Sequence, residues 1–382
     1  MGTADSTKLG DLAAAQGLQR VHILAWRDLD DVEAGGSEVH AAEIARRWAE
    51  AGIDVLVRTS HAQGQLPEVT RDGYRVVRRR GRHLVFLDAP LQELARRGGR
   101  RDGLLEVWNG LPFFAPLWAR GRRATFVHHV HADMWRQVMS PGLARLGEVL
   151  ELRVAPRAYQ GTRILTPSPS SRQLIIDRLG LPAANVTAVA NGIHQRFRPG
   201  GTRSPHPLVV AVGRLVPHKR FDMLVRAAHE TRREVPNLEL LIAGEGYERR
   251  RIEQVIDELG AEGWVHLLGR VSDEDLVELY RRAWVLGAAS SIEGWGMTVT
   301  EAAACGTPAV ATRSAGHVDV VDDGRTGLLA SDAELAGALT TVLRDPAERA
   351  RLGAGALARS EAYTWDRTAL AVLQGVAGLL PR

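Results

Sequence analysis

The stretch Ser290–Pro308, S-S-I-E-G-W-G-M-T-V-T-E-A-A-A-C-G-T-P, decides how the whole chain is read. The apolar run Trp284 to Ala289 before it is predicted to be a buried parallel strand. Behind it, Met297 to Cys305 is made of helix-compatible residues, ended by Gly306 and stopped by Pro308. The loop between, Glu293-Gly294-Trp295-Gly296, carries two glycines where backbone comes close to a ligand. A helix N-terminus behind such a loop offers free N–H groups and positive dipole charge to an anion, usually phosphate. Glu293 in the loop and Glu301 about one turn inside the helix flank that point. A carboxylate touching a phosphate would repel it, so both suit neutral hydroxyls on either side. Hydroxyl, phosphate, hydroxyl is the layout of a nucleotide sugar. The plain alternative is a strand–loop–helix whose two glutamates are merely solvated.

At 382 residues the chain exceeds one hydrophobic core, so two domains are expected. No window approaches the ~20 apolar residues of a membrane span. Residues 1–19 are small and polar; they read as a flexible tail rather than a signal peptide. The single cysteine, Cys305, rules out an internal disulfide and fits a reducing cytosol. The net charge of +4 is modest, yet lysine occurs only at Lys8 and Lys219 in an arginine-rich chain. One body lysine suggests a site that needs a compact ammonium.

In chain order, Val21 to Trp26 is a first strand and Arg27 to Ala34 a polar loop. Gly35-Gly36 opens a helix with Ser37 as the expected cap, and Ala41, Ile44, Ala45 and Trp48 recur at helical spacing. Asp54 to Thr59 is a second strand. This βαβ unit places a Gly-Gly loop where open α/β sheets bind ligands. It lacks G-x-G-x-x-G, which counts against a dinucleotide-dependent oxidoreductase.

From Arg75 to Arg123, twelve arginines face four acids (Asp88, Glu93, Asp102, Glu106), in clusters expected to lie in loops and helix ends. The bland reading is a solvated basic surface. The sharper one is a footing for anionic lipid or an acidic acceptor, as a peripheral contact at the inner face of a membrane. Nucleic acid is disfavoured, since the clusters lack interleaved aromatics. The strand predicted at Ala124 to Val130 ends in His128 and His129, with His131 just beyond. Zinc would want more ligands than the nearby Asp133, so a hydrogen-bonding histidine in a cleft is the better reading.

Phe197 to Pro207, F-R-P-G-G-T-R-S-P-H-P, is predicted to be a linker. A second alternation follows: strands at Leu208–Val212, Glu239–Ala243 and Trp264–Leu268, with helices between. At the end of its first strand stand Gly213-Arg214, with Lys219 five residues on. A planar guanidinium fork and a point-charge ammonium suit a diphosphate whose charge grows as it leaves.

G-R-L-x-x-x-K at Gly213–Lys219, A-G-E-G at Ala243–Gly246 and L-G-R-V-S-D-E-D-L at Leu268–Leu276 resemble glycosyltransferases of the GT-B fold. E-G-W-G-M-T-V-T-E-A-A-A-C-G-T-P narrows the resemblance to the large retaining family numbered four, whose E-x7-E signature Glu293 and Glu301 match. Gly35-Gly36 matches its amino-terminal glycine loop and Asn191-Gly192-Ile193 its N-G-[VI] turn; the match runs over roughly residues 21 to 375.

The resemblance implies an α/β GT-B fold, with two Rossmann-like domains facing each other across a cleft. These would be residues 20–198 for the acceptor and 207–365 for the donor, with a final helix at 366–382 crossing back to the first. It implies that Arg214 and Lys219 hold the diphosphate, together with amides near Gly296, Met297 and Thr298. Glu301 would bind ribose hydroxyls, Glu293 with Gly294 and Trp295 the sugar side, and backbone around Arg270 and Val271 the base. Gly35 and Gly36 would approach sugar and phosphate, and the active-site histidine carries over to His128, or to His131 by a shifted alignment. Transfer would be retaining, by front-face displacement, with no metal and no cofactor beyond the UDP- or GDP-sugar substrate. Asp28-Leu29-Asp30 spells D-x-D but lies away from the expected phosphates, and reads as chance or acceptor contact. A non-catalytic sugar-nucleotide-binding protein is the other alternative.

Overall fold

The computed structural model describes residues 3–131, 134–138 and 140–380. They form two compact units, Met1–Gly192 with Trp365–Arg382, and Ile193–Thr364. In the first, β1 (Arg20–Leu24), β2 (Asp54–Thr59), β3 (Glu68–Arg71), β4 (Tyr74–Arg78), β5 (Gly103–Trp108), β6 (Arg122–Val127), β7 (Ile164–Thr166) and β8 (Val186–Ala188) make one sheet. The order is β3-β4-β2-β1-β5-β6-β7-β8. Only β3–β4 is antiparallel, a hairpin turned by Asp72 and Gly73 at φ 46° and 84°. Parallel strands are covered on both faces and so read as apolar runs; Val21, Ile23 and Leu24 of β1 are all buried.

The expected stripe of α2 (Gly36–Glu50), Ala41, Ile44, Ala45 and Trp48, is buried in full. The Trp48 indole N–H donates to Ala369 O at 3.0 Å. Ala369 lies on the C-terminal helix Trp365–Ala377, which packs within the first unit. Ser37 does not cap α2. Gly35 is the N-cap, and its N–H donates to Glu38 Oε2 at 2.8 Å, so the glutamate holds the glycine loop.

Residues 1–19 are not a free tail, because Thr3–Gln16 forms α1. Leu9 and Ala13, one helical turn apart, are buried against the same core as Val372 and Val376. The segment holds its helix by that packing, not by any strong pattern of its own. Nor is Phe197–Pro207 a loose linker. The Ser204 N–H donates to Arg282 O at 3.0 Å, the Trp284 indole donates to Ser204 O at 2.8 Å, and Arg203 donates to Thr307 Oγ1 at 2.7 Å. Proline and glycine bar regular structure there, yet the backbone is tied into the second unit. The chain passes between units at Gly192–Ile193 and Thr364–Trp365 instead.

The second unit carries β9 (Leu208–Val212), β10 (Glu239–Ala243), β11 (Val265–Gly269), β12 (Val285–Ala288), β13 (Ala309–Thr312) and β14 (Gly327–Ala330). They run parallel in the order β11-β10-β9-β12-β13-β14. The order reverses between β9 and β12. The carboxyl ends of those two strands are therefore a topological switch point, where α/β sheets bind ligands.

Candidate active site

Both decisive loops leave from that switch point. The loop after β9 carries Arg214 and Lys219; the loop after β12 carries Glu293 and leads into the helix Met297–Ala304. The Ser291 N–H donates to His218 O at 2.8 Å, holding the two loops together. Across that junction Lys219 Nζ donates to Glu293 Oε1 at 2.5 Å, and Ser290 Oγ donates to the same oxygen at 2.7 Å. Burial would raise the Glu293 carboxyl. The charges of Lys219 and His317 and the bonds from Lys219 and Ser290 outweigh it and bring the pKa down to about 2. Glu293 is an anion whose charge is already spoken for.

Arg214 differs. Its guanidinium is half-buried and makes no hydrogen bond or ion pair among the described residues. An unpaired fork beside a paired lysine is a standing site for an anion. Gly244, at φ 143°, lets the loop after β10 pack directly on the backbone that leads to it: a Cβ would lie 1.9 Å from Gly213 O. The helix Met297–Ala304 starts at Gly296 in left-handed backbone, φ 99°, and no side chain caps it. Gly296 therefore does the turning, and Met297 and Thr298 head a helix with unclaimed N–H groups.

Glu301 lies one turn on, where Tyr280 OH donates to its Oε2 at 2.9 Å. Burial pushes this carboxyl up to about 7, against the pull of the Tyr280 bond. Near neutral pH it is divided between acid and carboxylate. Trp295 is buried, its ring edge-on to Tyr363 at 5.1 Å, so its bulk supports the loop from behind. Gly294 sits in the same loop, while Arg270 and Val271 follow the carboxyl end of β11. The unit thus brings together Arg214, Lys219, Glu293 and the helix end, with Glu301 on that helix.

The sequence reading missed His317, which is fully buried and electrostatically coupled to Glu293. Its Nδ1 lies 3.1 Å from both Ser314 Oγ and Thr312 O, and burial lowers its pKa. A histidine behind a glycine turn, S-A-G-H, was the only local signal for it.

In the first unit, β6 ends at Val127, so His128, His129 and His131 lie beyond the strand, not on it. The His128 ring is buried edge-on to His40 at 4.8 Å, and its Nε2 has no partner. Burial, then the neighbouring charges of His40 and His129, hold His128 well below the usual histidine range. His40, also missed, is held at about 3 by burial. The His131 ring stacks on His129 at 4.2 Å, and its backbone N–H donates to Glu151 Oε1 at 2.8 Å. Asp133 lies outside the described residues. Among the described residues no three His, Cys, Asp or Glu side chains converge as a metal site requires.

Buried Asp28 and exposed Asp30 are both paired with Arg78, each 2.5 Å from its Nη2. That corrects two expectations at once. Asp28-Leu29-Asp30 is a structural ion-pair partner, and Arg78, 1% exposed, is no part of a basic surface.

A family model described as Glycosyl transferases group 1 matches residues 194–359, and one described as Glycosyltransferase Family 4 matches residues 34–196. A D-inositol 3-phosphate glycosyltransferase from Kineococcus radiotolerans is 30% identical over 400 residues, covering 90% of each chain. A GDP-mannose-dependent alpha-(1-6)-phosphatidylinositol monomannoside mannosyltransferase from Mycolicibacterium smegmatis is 30% identical over 337 residues, covering 80% of this chain and 87% of the relative. The sucrose-phosphate synthase structure from Thermosynechococcus elongatus superposes with TM-score 0.79 at 22% identity, over 93% of this chain and 98% of that one. Two parallel-sheet units, a charged switch point after β9 and β12, and full-length relatives on both sides converge on one assignment: the chain belongs to the family 4, group 1, glycosyltransferases of GT-B fold.

Proposed function

We propose that this glycosyltransferase moves a hexose from a UDP- or GDP-sugar to a hydroxyl acceptor, with retention of anomeric configuration and without a metal. The observation that carries the reading is the Lys219–Glu293 pair beside the unpartnered Arg214. A diphosphate arriving at Arg214 and the helix N-terminus competes with Glu293 for Lys219. Each unit of charge it brings loosens the carboxylate, which then accepts hydrogen bonds from sugar hydroxyls. Glu301, on the far side of the helix end, accepts from ribose hydroxyls.

In the transfer itself the bond from the anomeric carbon to the diphosphate oxygen breaks. The acceptor oxygen bonds to that carbon from the same face, and its proton passes to the departing phosphate oxygen. Arg214, Lys219 and the N–H groups near Gly296, Met297 and Thr298 stabilise the charge that grows there. Those fixed donors supply the neutralisation a divalent ion would otherwise supply. The first unit, with Gly35, Gly36 and His128, serves the sugar and the acceptor; Arg270 and Val271 serve the base. Family membership leaves no place for a dinucleotide oxidoreductase.

The test is a thermal-shift screen against UDP- and GDP-sugars, followed by NMR of the product's anomeric proton. Stabilisation by neither nucleotide would overturn the donor reading, and an inverted anomer would overturn retention. A peripheral membrane contact is a second proposal, favoured by one observation. In α3 (Val85–Leu94), Leu87, Leu91 and Leu94 are exposed by 68%, 63% and 58% amid the arginine-rich stretch.

A further inference from the structure

One face of the first sheet is lined with cations that glycosyl transfer does not use. Arg58 on β2 and Arg75 on β4 lie on the same side, since alternate residues of a strand share a face, and Arg79 follows just past the end of β4. With Arg80 and Arg97 they line a cavity of about 800 Å³, whose lining among the described residues includes two carboxylates, Glu68 and Asp88. None of the donor-site residues described above lines it.

The charges there are cancelled only in part. Arg75 pairs with Glu68 at 3.4 Å and Arg80 with Asp88 at 3.6 Å. Arg79 and Arg97 have no side-chain partner among the described residues. Arg58 is buried, and its Nε donates to Glu93, yet its Nη2 is buried with no hydrogen-bond partner. A buried donor left unmade is costly, so it marks a place where an acceptor is expected. Gly98 lets the backbone pack close against that group: a Cβ there would stand 2.6 Å from Arg58 Nη2 and 2.3 Å from Leu56 Cδ2.

We propose that this cavity is an anion site, separate from the donor site, for a phosphate-bearing ligand. Guanidinium forks from β2, β4 and the segment after α3 converge on it, the geometry that phosphate oxygens match. The volume suits a small organic phosphate. A phospholipid headgroup has the same chemistry, with the exposed leucines of α3 alongside. The site is independent of the activity proposed above and stands or falls on its own measurements.

The test uses full-length protein carrying Arg214→Ala and Lys219→Ala, so that the donor site cannot answer for the cavity. Calorimetry with inorganic pyrophosphate at matched ionic strength is the first arm. Flotation with phosphatidylinositol-containing vesicles, against phosphatidylcholine alone, is the second. The expected result is binding in one arm, weakened about tenfold or more by Arg79→Ala with Arg97→Ala. Those two side chains hold nothing else in place, so the variants keep the fold. Arg58→Met removes the buried fork, and its folding is checked by circular dichroism because Glu93 loses a partner. Pyrophosphate binding assigns a soluble phosphate, and vesicle binding alone assigns a lipid headgroup. Binding in neither arm, or binding untouched by Arg79→Ala with Arg97→Ala, overturns the site.

Discussion

Lys219 and Glu293, 74 positions apart in sequence, meet at 2.5 Å across the loops that leave β9 and β12. The pair makes Glu293 sensitive to acid in a definite direction. Its folded pKa, about 2, lies below the ordinary 4.5. A depressed carboxyl contributes stability above its unfolded value and loses it as pH falls through the folded one. Wild type should therefore lose on the order of 3 kcal/mol from this group between roughly pH 5 and pH 2. Glu293→Gln should lack that component in a urea-unfolding series over the same range. The variant should also lose most turnover while keeping UDP or GDP affinity, as the proposed role toward the sugar requires. Identical acid profiles for the two proteins would remove the pair as a stabilising feature.

Arg214→Ala and Lys219→Ala should separate activity from stability. Each removes a charge-assisted contact to the departing phosphate, on the order of 2–4 kcal/mol of transition-state stabilisation. Lys219→Ala also strands Glu293 in a largely buried position, costing roughly 3 kcal/mol of fold stability. Arg214 has no partner to strand, so Arg214→Ala should unfold at the wild-type midpoint. Kinetics and denaturant melts of both, with and without EDTA, decide this. Activity lost to chelator and restored by magnesium or manganese would sink the metal-free mechanism.

The switch-point loops of the second unit were readable because their signals are local. Glu293, Gly296 and Glu301 fall within one strand–loop–helix, and Arg214 with Lys219 within seven residues of a strand end. What the sequence hid depends on distance. Arg78 reads as one of three surface arginines until Asp28 and Asp30, about fifty positions away, close around it. Residues 1–19 read as a tail because the helix α1 is held by the C-terminal helix at the other end of the chain. His40 carries no pattern at all and His317 only the weak S-A-G-H turn; it takes the fold to bury them. The Asp72-Gly73 hairpin had its turn signal, but β3 is only four residues long.

Glu301 predicts a pH-dependent nucleotide affinity. Its carboxyl, raised to about 7, must be ionised to accept two ribose hydroxyl bonds. Affinity should therefore rise about tenfold from pH 6 to pH 8, in proportion to the ionised fraction. Glu301→Gln should bind UDP or GDP more weakly at pH 8 and lose the slope. Calorimetry at three pH values checks it, and equal affinity for wild type and variant would cancel the ribose assignment.

The membrane proposal turns on α3 rather than on arginine number. Leu87 and Leu91 sit one turn apart and face water, a costly arrangement for a helix with nothing covering it. Arg80, Arg96, Arg97 and Arg100 are exposed around that helix, whereas Arg78 is internal and contributes no surface charge. An amphipathic helix ringed by cations lies in the interface of an anionic bilayer. No helix among the described residues is long and apolar enough to cross one, so the helix would rest on the surface. Each leucine buried among acyl chains contributes roughly 1–2 kcal/mol, and each arginine at most about 1 kcal/mol, which salt screens. Leu87→Ser with Leu91→Ser should therefore abolish flotation with anionic vesicles at low salt, while the fold and soluble-donor hydrolysis stay intact. High salt should weaken wild-type flotation without reproducing the full loss. If wild type stays in solution with anionic vesicles at low salt, or the serine variant floats as well as wild type, α3 is not a membrane contact and a soluble acceptor follows.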